Sequence, residues 1–168
     1  QMNLEELIKE IIPPADYHHR EGFNNEPIID RLTATEKQLV EDALIGTLAS
    51  STSSSPDSLV IETLSYLKSE KALPVLYEFL KVSSDDFMQL ILSSNIYQIN
   101  KDETLIPVAI KSFNKIGQRT DAYYVYSIIG AFCYLRKFHH KETNKLIAEY
   151  VSHKEYLISY NAKRWLEI

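Results

Sequence analysis

Two histidine pairs, His18-His19 and His139-His140, are the strongest metal-ligand candidates in this sequence. Adjacent side chains point in different directions on a regular element. Neither pair has an Asp, Glu or Cys at helical i+4 spacing to complete a coordination sphere with both histidines. The pattern therefore favours solvated loop residues, and we expect no metal site and no cofactor.

Two acidic pairs, Asp85-Asp86 and Asp102-Glu103, are the residues that could do general acid–base chemistry. Each pair stands at the start of a predicted helix, where capping and the helix dipole explain acidic residues. The single cysteine, Cys133, lies in an apolar stretch and is expected to pack as a small apolar side chain. The sequence contains no glycine-rich phosphate loop and no G-x-S-x-G or H-E-x-x-H motif. We therefore expect a protein without catalytic residues.

The composition indicates one soluble helical domain spanning residues 1–168. Only 4 Gly and 6 Pro occur in 168 residues, which favours helices with short connections over many strands. The longest apolar stretch, residues 123–135, is too short to span a bilayer, and no membrane association is expected. The first residues contain no basic segment followed by an apolar run, so we expect a cytoplasmic protein without a signal peptide.

A recurrent helical segment of nine residues divides the second part of the chain into units. Four nine-residue segments end at Leu67, Ile99, Leu135 and Leu166, with spacings of 32, 36 and 31 residues. Pro74 and Pro107 are 33 apart and fall early in the helices that follow the first two segments. A period of this size predicts stacked helix pairs. The last of these segments, which ends at Leu166, has no partner helix.

Upstream, Thr33 and Glu36 predict a capping box that opens a helix to about residue 49. The serine-rich residues 50–58 predict a flexible loop, with Ser55 and Pro56 as the start of the next helix. Residues 13–30 are expected to be irregular. The helix that ends at Leu135 is apolar almost all round and is expected to be covered on both sides.

The recurrent helical segments, with prolines early in the helices that follow the first two, resemble the HEAT-like repeat superfamily. This resemblance implies an all-α, right-handed αα-superhelix of HEAT/armadillo-like helix pairs, with about three and a half repeats over residues 56–168. Residues 1–55 would supply divergent N-terminal helices and the serine-rich loop. More narrowly, residues 64–80 and 153–166 resemble small bacterial HEAT-like immunity proteins. That likeness implies a cytoplasmic inhibitor that binds one cognate secreted toxin or effector.

The charge distribution suggests what the partner is. Residues 1–86 hold 16 acidic and 7 basic residues, whereas residues 87–168 hold 7 acidic and 11 basic ones. The acidic half would steer a basic partner such as a nuclease toxin, with tyrosines as anchors. In the resembled family the second helix of each pair lines the binding face. The residues predicted to contact the partner are Glu41, Asp42, Tyr77, Glu78, Lys81, Asp85, Asp86, Lys111 and Lys115.

Two alternatives remain open. A basic cluster extends from Arg136 to Lys145, and some HEAT-like proteins of the DNA-glycosylase type cradle duplex DNA on basic faces. The acidic first half argues against a nucleic-acid surface along the whole molecule. The other alternative is a scaffold subunit whose terminal helices dock onto other members of an assembly.

Overall fold

The structure, a computed structural model, describes residues 3–168. Over these residues it is all-helical, with 70% helix and no strand, which confirms the all-α part of the predicted fold class. The superhelical arrangement of repeated helix pairs stays a prediction. The chain separates into two compact units, Gln1–Leu76 and Tyr77–Ile168. The helices of the described chain are α1 Leu4–Ile11, α2 Tyr17–Arg20, α3 Glu26–Asp30, α4 Ala34–Ala49, α5 Ser58–Tyr66, α6 Leu73–Val82, α7 Asp86–Asn100, α8 Leu105–Gly117, α9 Tyr124–Leu135, α10 Lys141–Ala148 and α11 Tyr156–Leu166.

The first unit is organised around a buried polar residue, Asn25, which is 5% exposed. Its side-chain amide donates to the carbonyl oxygen of Ile11 at 3.1 Å and to Oγ1 of Thr63 at 2.9 Å. It therefore joins the end of α1 to α5. Fully buried apolar side chains fill the space around these helices, namely Ile11, Ile29, Leu44, Ile61 and Leu64.

Local signals position most of the helix starts in this unit. The predicted capping box is present: Thr33 accepts from the backbone N–H of Glu36, and Glu36 accepts from that of Thr33. The prediction that Ser55 and Pro56 start the next helix was wrong, because α5 begins at Ser58 and Asp57 caps it by accepting from the Leu59 N–H. The expectation of an irregular segment was also wrong in part, since α2 and α3 lie within residues 13–30.

In the second unit, α7 and α8 form an antiparallel pair. Asp86 at the start of α7 lies 3.9 Å from Lys115 near the end of α8, and Gln89 is 3.5 Å from Ser112. The turn between the helices uses a left-handed residue, Lys101, at φ 56°. This antiparallel arrangement lets each helix bury one face against the other.

Helix α9 packs against α7, α8 and α11. The Phe113 ring of α8 stacks on Phe132 of α9, with centroids 5.9 Å apart. Phe87 of α7 lies edge-on to Tyr134 of α9, and a Cβ at Gly130 would come 3.1 Å from the Phe87 ring. Gly130 therefore permits the close approach of α7 and α9.

Alanine at two glycine positions is expected to change the free energy of unfolding in opposite directions. A Cβ at Gly117 would lie 2.8 Å from Oη of Tyr150, whose ring packs edge-on against both Phe113 and Phe132, and these contacts restrict its movement. We expect Gly117→Ala to lower the free energy of unfolding by about 1–3 kcal/mol. Gly46→Ala in α4 meets nothing within 4 Å and should raise it by about 0.5–1 kcal/mol.

Urea denaturation of the two variants measures both effects. A third variant, Gly117→Ala combined with Tyr150→Phe, removes the hydroxyl that the new Cβ meets and should recover stability relative to Gly117→Ala. Equal stabilisation by alanine at both positions would contradict the steric explanation.

Among residues 3–168, no helix has the length and apolar character needed to cross a membrane.

Candidate functional site

The predicted contact residues of the first unit, Glu41 and Asp42, share one lysine. Lys71 Nζ lies 3.5 Å from Glu41 Oε1 and 3.0 Å from Asp42 Oδ1. The hydrogen bond to Asp42, and secondarily the charge of both acids, raises the pKa of Lys71. Part of the acidic charge predicted for this surface is thus balanced within the unit.

Tyr77, the predicted aromatic anchor, is held by neighbouring polar groups. Its hydroxyl donates to Asp102 Oδ2 at 2.6 Å and accepts from Asn100 at 2.9 Å. Burial, followed by the hydrogen bond to Asp102, raises the pKa of Tyr77. Because the hydroxyl already has two partners, Tyr77 helps to order the turn after α7, and any contact with another protein would have to use the ring.

The other predicted residues of the second unit lie on three helix segments. Glu78 and Lys81 are exposed on α6, and Lys111 and Lys115 are exposed on α8. Asp85 caps α7 by accepting from the Met88 N–H at 2.7 Å, which is the capping role expected from the sequence. The structure brings Asp86 and Lys115 together as an ion pair. A partner contact for these residues stays a prediction.

Sequence reasoning missed a more exposed set of aromatic side chains on α9 and α11. Four exposed tyrosines and one exposed leucine, at or shortly after the starts of these two helices, are together called the tyrosine surface: Tyr123 at 70% exposure, Tyr126 at 72%, Tyr156 at 69%, Tyr160 at 50% and Leu157 at 43%. The rings of Tyr156 and Tyr160, one helical turn apart, stack with centroids at 5.9 Å. The expectation that α9 is covered holds for its buried residues Ile128, Ala131, Phe132 and Leu135, whereas Tyr126 near its start stays exposed.

The directions of α9 and α11 bring these tyrosines to the same end of the helix pair. Near the starts of the helices, the Tyr124 and His153 rings are 6.4 Å apart. At their ends, the Arg136 guanidinium lies 4.2 Å from the centre of the Trp165 ring. The two helices therefore run side by side in the same direction. A sequence signal existed in the eleven tyrosines of the chain, but their number does not say which side of a helix is uncovered.

The basic cluster is partly used inside the second unit. Lys137 Nζ donates to Oδ1 of buried Asn95 at 3.4 Å and also lies over the Tyr134 ring. Arg136 covers one part of the Trp165 ring, and Arg164 lies 5.0 Å from the same ring centre. His140 caps α10, accepting from Glu142. Lys141 and Lys145 remain exposed on α10.

The first unit contains a cavity of about 730 Å³ between α2 and the start of α5. In its lining, half-buried Arg20 makes a double hydrogen bond to Asp57 at 2.9 and 2.8 Å and also donates to the carbonyl oxygen of Pro13. The hydrogen bond with Arg20 lowers the pKa of Asp57 despite the opposing effect of burial. Arg20 and Asp57 therefore form a charge-balanced wall.

The remaining charged lining of this cavity is acidic, with Asp16, Glu21 and Glu62. Tyr17, which is 76% exposed, and half-buried Phe23 add aromatic rings. Asp16 caps α2 and contacts His19 Nδ1 at 2.8 Å, and these hydrogen bonds lower the pKa of Asp16. This combination of rings and carboxylates has the character of a cation-binding surface.

Within the described chain, no three His, Cys, Asp or Glu side chains gather in a way that could hold a metal ion. Comparison with family models, with curated proteins and with solved structures found no match to this chain.

Proposed function

We propose that this chain is a non-enzymatic protein-binding helical stack that engages its partner through the tyrosine surface. The observation that carries the proposal is the exposure of four tyrosines and Leu157 on two adjacent helices. Tyrosine is enriched at protein interfaces because its ring buries a large area at a small cost in conformational entropy while its hydroxyl still forms hydrogen bonds. Such residues supply most of the binding energy when a partner covers them.

A HEAT-like arrangement of the second unit belongs to the same proposal. It is supported by the antiparallel pair α7 and α8, by the common direction of α9 and α11, and by Pro107 within the first turn of α8. In such a stack the first helices of successive pairs run parallel, as α9 and α11 do. Side chains that the stacking does not use are then available to a partner.

Within this function, an immunity-type inhibitor is the narrower proposal. It rests on the resemblance to HEAT-like immunity proteins and on the acidic first half of the chain. The inhibitor would act by occluding the active site of a basic toxin, and charge would raise the rate of encounter while the tyrosines hold the complex. The candidate partner is therefore a basic secreted protein encoded beside this one.

Affinity measurements with that candidate partner test the proposal. We expect replacement of Tyr126, Tyr156 and Tyr160 by alanine to weaken binding by about a hundredfold or more, mainly through faster dissociation. The corresponding phenylalanine variant keeps the rings and should lose much less. The matched control is alanine at Tyr66, an exposed tyrosine of the first unit that lies outside the tyrosine surface. An unchanged dissociation constant in the triple variant would reject the tyrosine surface.

The acidic surface predicted from the sequence is tested on the same partner. Charge reversal at Glu78, Asp85 and Asp86 should slow association and reduce its dependence on salt. Unchanged affinity and salt dependence would remove these residues from the interface while leaving the tyrosine surface in place.

Nucleic-acid binding is the second candidate. The observation that favours it is the pair of arginines on Trp165 beside the exposed lysines of α10, because single strands bind to aromatic rings set in basic surfaces. Salt-dependent binding of short DNA that is lost in a Lys141→Glu, Lys145→Glu variant would favour this candidate over protein binding. A scaffold role would instead place the tyrosine surface in a permanent subunit contact, which light scattering of the assembled complex would reveal.

A further inference from the structure

The acidic cavity of the first unit has an unusual division of charge. Among the described residues that line it, Arg20 is the only lysine or arginine, and its guanidinium is engaged by Asp57 and by the Pro13 carbonyl oxygen. Two exposed carboxylates stand on the same lining, that of Asp16, which also contacts His19, and that of Glu21, which accepts from the Tyr17 hydroxyl. The wall that Arg20 forms is neutral as a pair, so the remaining lining attracts positive charge.

The aromatic side chains of the cavity add a second preference. Tyr17 is 76% exposed, although its hydroxyl is hydrogen-bonded to Glu21, an interaction that raises the pKa of Tyr17. Its ring face is thus presented beside a carboxylate. A guanidinium group is planar, stacks on aromatic rings and forms paired hydrogen bonds with carboxylates, whereas a lysine ammonium is a compact, strongly hydrated charge. The lining therefore matches arginine better than lysine.

The size of the cavity argues for more than one side chain. The cavity is open to solvent, and its volume of about 730 Å³ exceeds what one guanidinium needs. The hydroxyls of Ser55 and Ser58 also line the cavity and can exchange hydrogen bonds with a peptide backbone. The first unit as a whole is acidic, with 13 acidic and 6 basic residues up to position 76.

We propose that this cavity binds an arginine side chain within a basic peptide segment of a partner protein. The guanidinium stacks on Tyr17 and pairs with Glu21, and the neighbouring peptide backbone lies along Ser55 and Ser58. The inference goes beyond the proposed function, since the cavity lies in the first unit and needs none of the tyrosine-surface residues.

The test uses the full chain and an acetylated, amidated hexapeptide of alternating arginine and glycine. Titration is followed by nitrogen–proton correlation NMR, with affinities from isothermal calorimetry. We expect shift changes concentrated in α2 and at the start of α5, and weaker binding at higher salt. A hexapeptide with citrulline in place of arginine is the neutral control and should bind at least tenfold more weakly.

Variants locate the site. Tyr17→Ala and Glu21→Gln should each weaken the binding of the arginine peptide by about fivefold or more. Tyr126→Ala, with a similar exposure, and Glu26→Gln, an exposed acid outside the cavity, should leave the affinity unchanged. Because Tyr17, Glu21, Tyr126 and Glu26 are all exposed, all four variants should fold, which their correlation spectra check directly.

Three outcomes would overturn the inference. Equal binding of the citrulline peptide would remove the role of charge. Shift changes outside α2 and α5, or equal losses in the control variants, would show a diffuse acidic surface. Binding of single acetylarginine amide as tight as that of the hexapeptide would show a small-cation site and reject the peptide segment. None of these results bears on the tyrosine surface, which is tested with its own variants and partner.

Discussion

Phe113→Ala is expected to lower the free energy of unfolding by about 3–5 kcal/mol, the loss typical of a large aromatic side chain in a packed interior. Phe113 is fully buried and stacks on Phe132. Tyr150 meets it edge-on at 5.8 Å. Alanine would leave a void bordered by rings that cannot collapse onto it, so the lost contacts are not replaced.

Urea denaturation monitored through Trp165 measures this effect, because the single tryptophan of the chain lies in the same unit as Phe113. Phe113→Leu fills most of the space and should lose about 1–1.5 kcal/mol. Tyr126→Ala, on the exposed side of α9, should change stability by less than about 0.5 kcal/mol. A loss below about 1 kcal/mol for Phe113→Ala would mean that these rings do not form a packed core.

Asp57→Ala is expected to lower the free energy of unfolding by about 2–4 kcal/mol, the second large effect. The change removes the double hydrogen bond with Arg20 and the cap on the Leu59 N–H. It leaves a half-buried guanidinium whose remaining partner is the Pro13 carbonyl oxygen. Charge-assisted hydrogen bonds contribute more than neutral ones, and helix caps add about 1 kcal/mol. Asp16→Asn, at an exposed cap of the same unit, should have a much smaller effect.

The same carboxylate predicts a pH dependence. Hydrogen bonding to Arg20 holds the pKa of Asp57 below its ordinary value, so the folded state releases this proton more readily than the unfolded state. The stabilisation is complete above the unfolded pKa of about 3.9 and is lost as the pH falls through the lower folded value. The difference in stability between the wild type and Asp57→Asn should therefore be constant near neutral pH and shrink below about pH 4. A difference that does not change with pH would assign the effect to shape alone.

Much of the secondary structure followed from short-range patterns. The capping box at Thr33 and Glu36, the cap at Asp85 and the early prolines of α6 and α8 depend on residues within four positions of one another. Backbone hydrogen bonding and side-chain geometry act over that distance, so the sequence alone carries the information.

The contacts at the candidate sites depend on the packing of residues that are far apart in the sequence. Arg20 and Asp57 are 37 positions apart, and Asn25 and Thr63 are 38 apart. No local pattern links such residues, since their contact is the result of α2, α3 and α5 closing on one another. Sequence patterns therefore could not predict the cavity or its acidic lining. They described residues 13–30, which supply part of that lining, only as irregular.

The tyrosine surface shows which features follow from local sequence patterns and which depend on tertiary packing. The sequence by itself determined that α9 and α11 are helices and that tyrosines recur along them, because composition and spacing act on each helix separately. Only the tertiary structure decided that Tyr126 and Tyr160 lie uncovered while Phe132 is buried, although all three are aromatic. A helix that is apolar all round has no preferred inner face of its own. The neighbouring helices choose which side they cover, and the side they leave uncovered is where we expect a partner to bind.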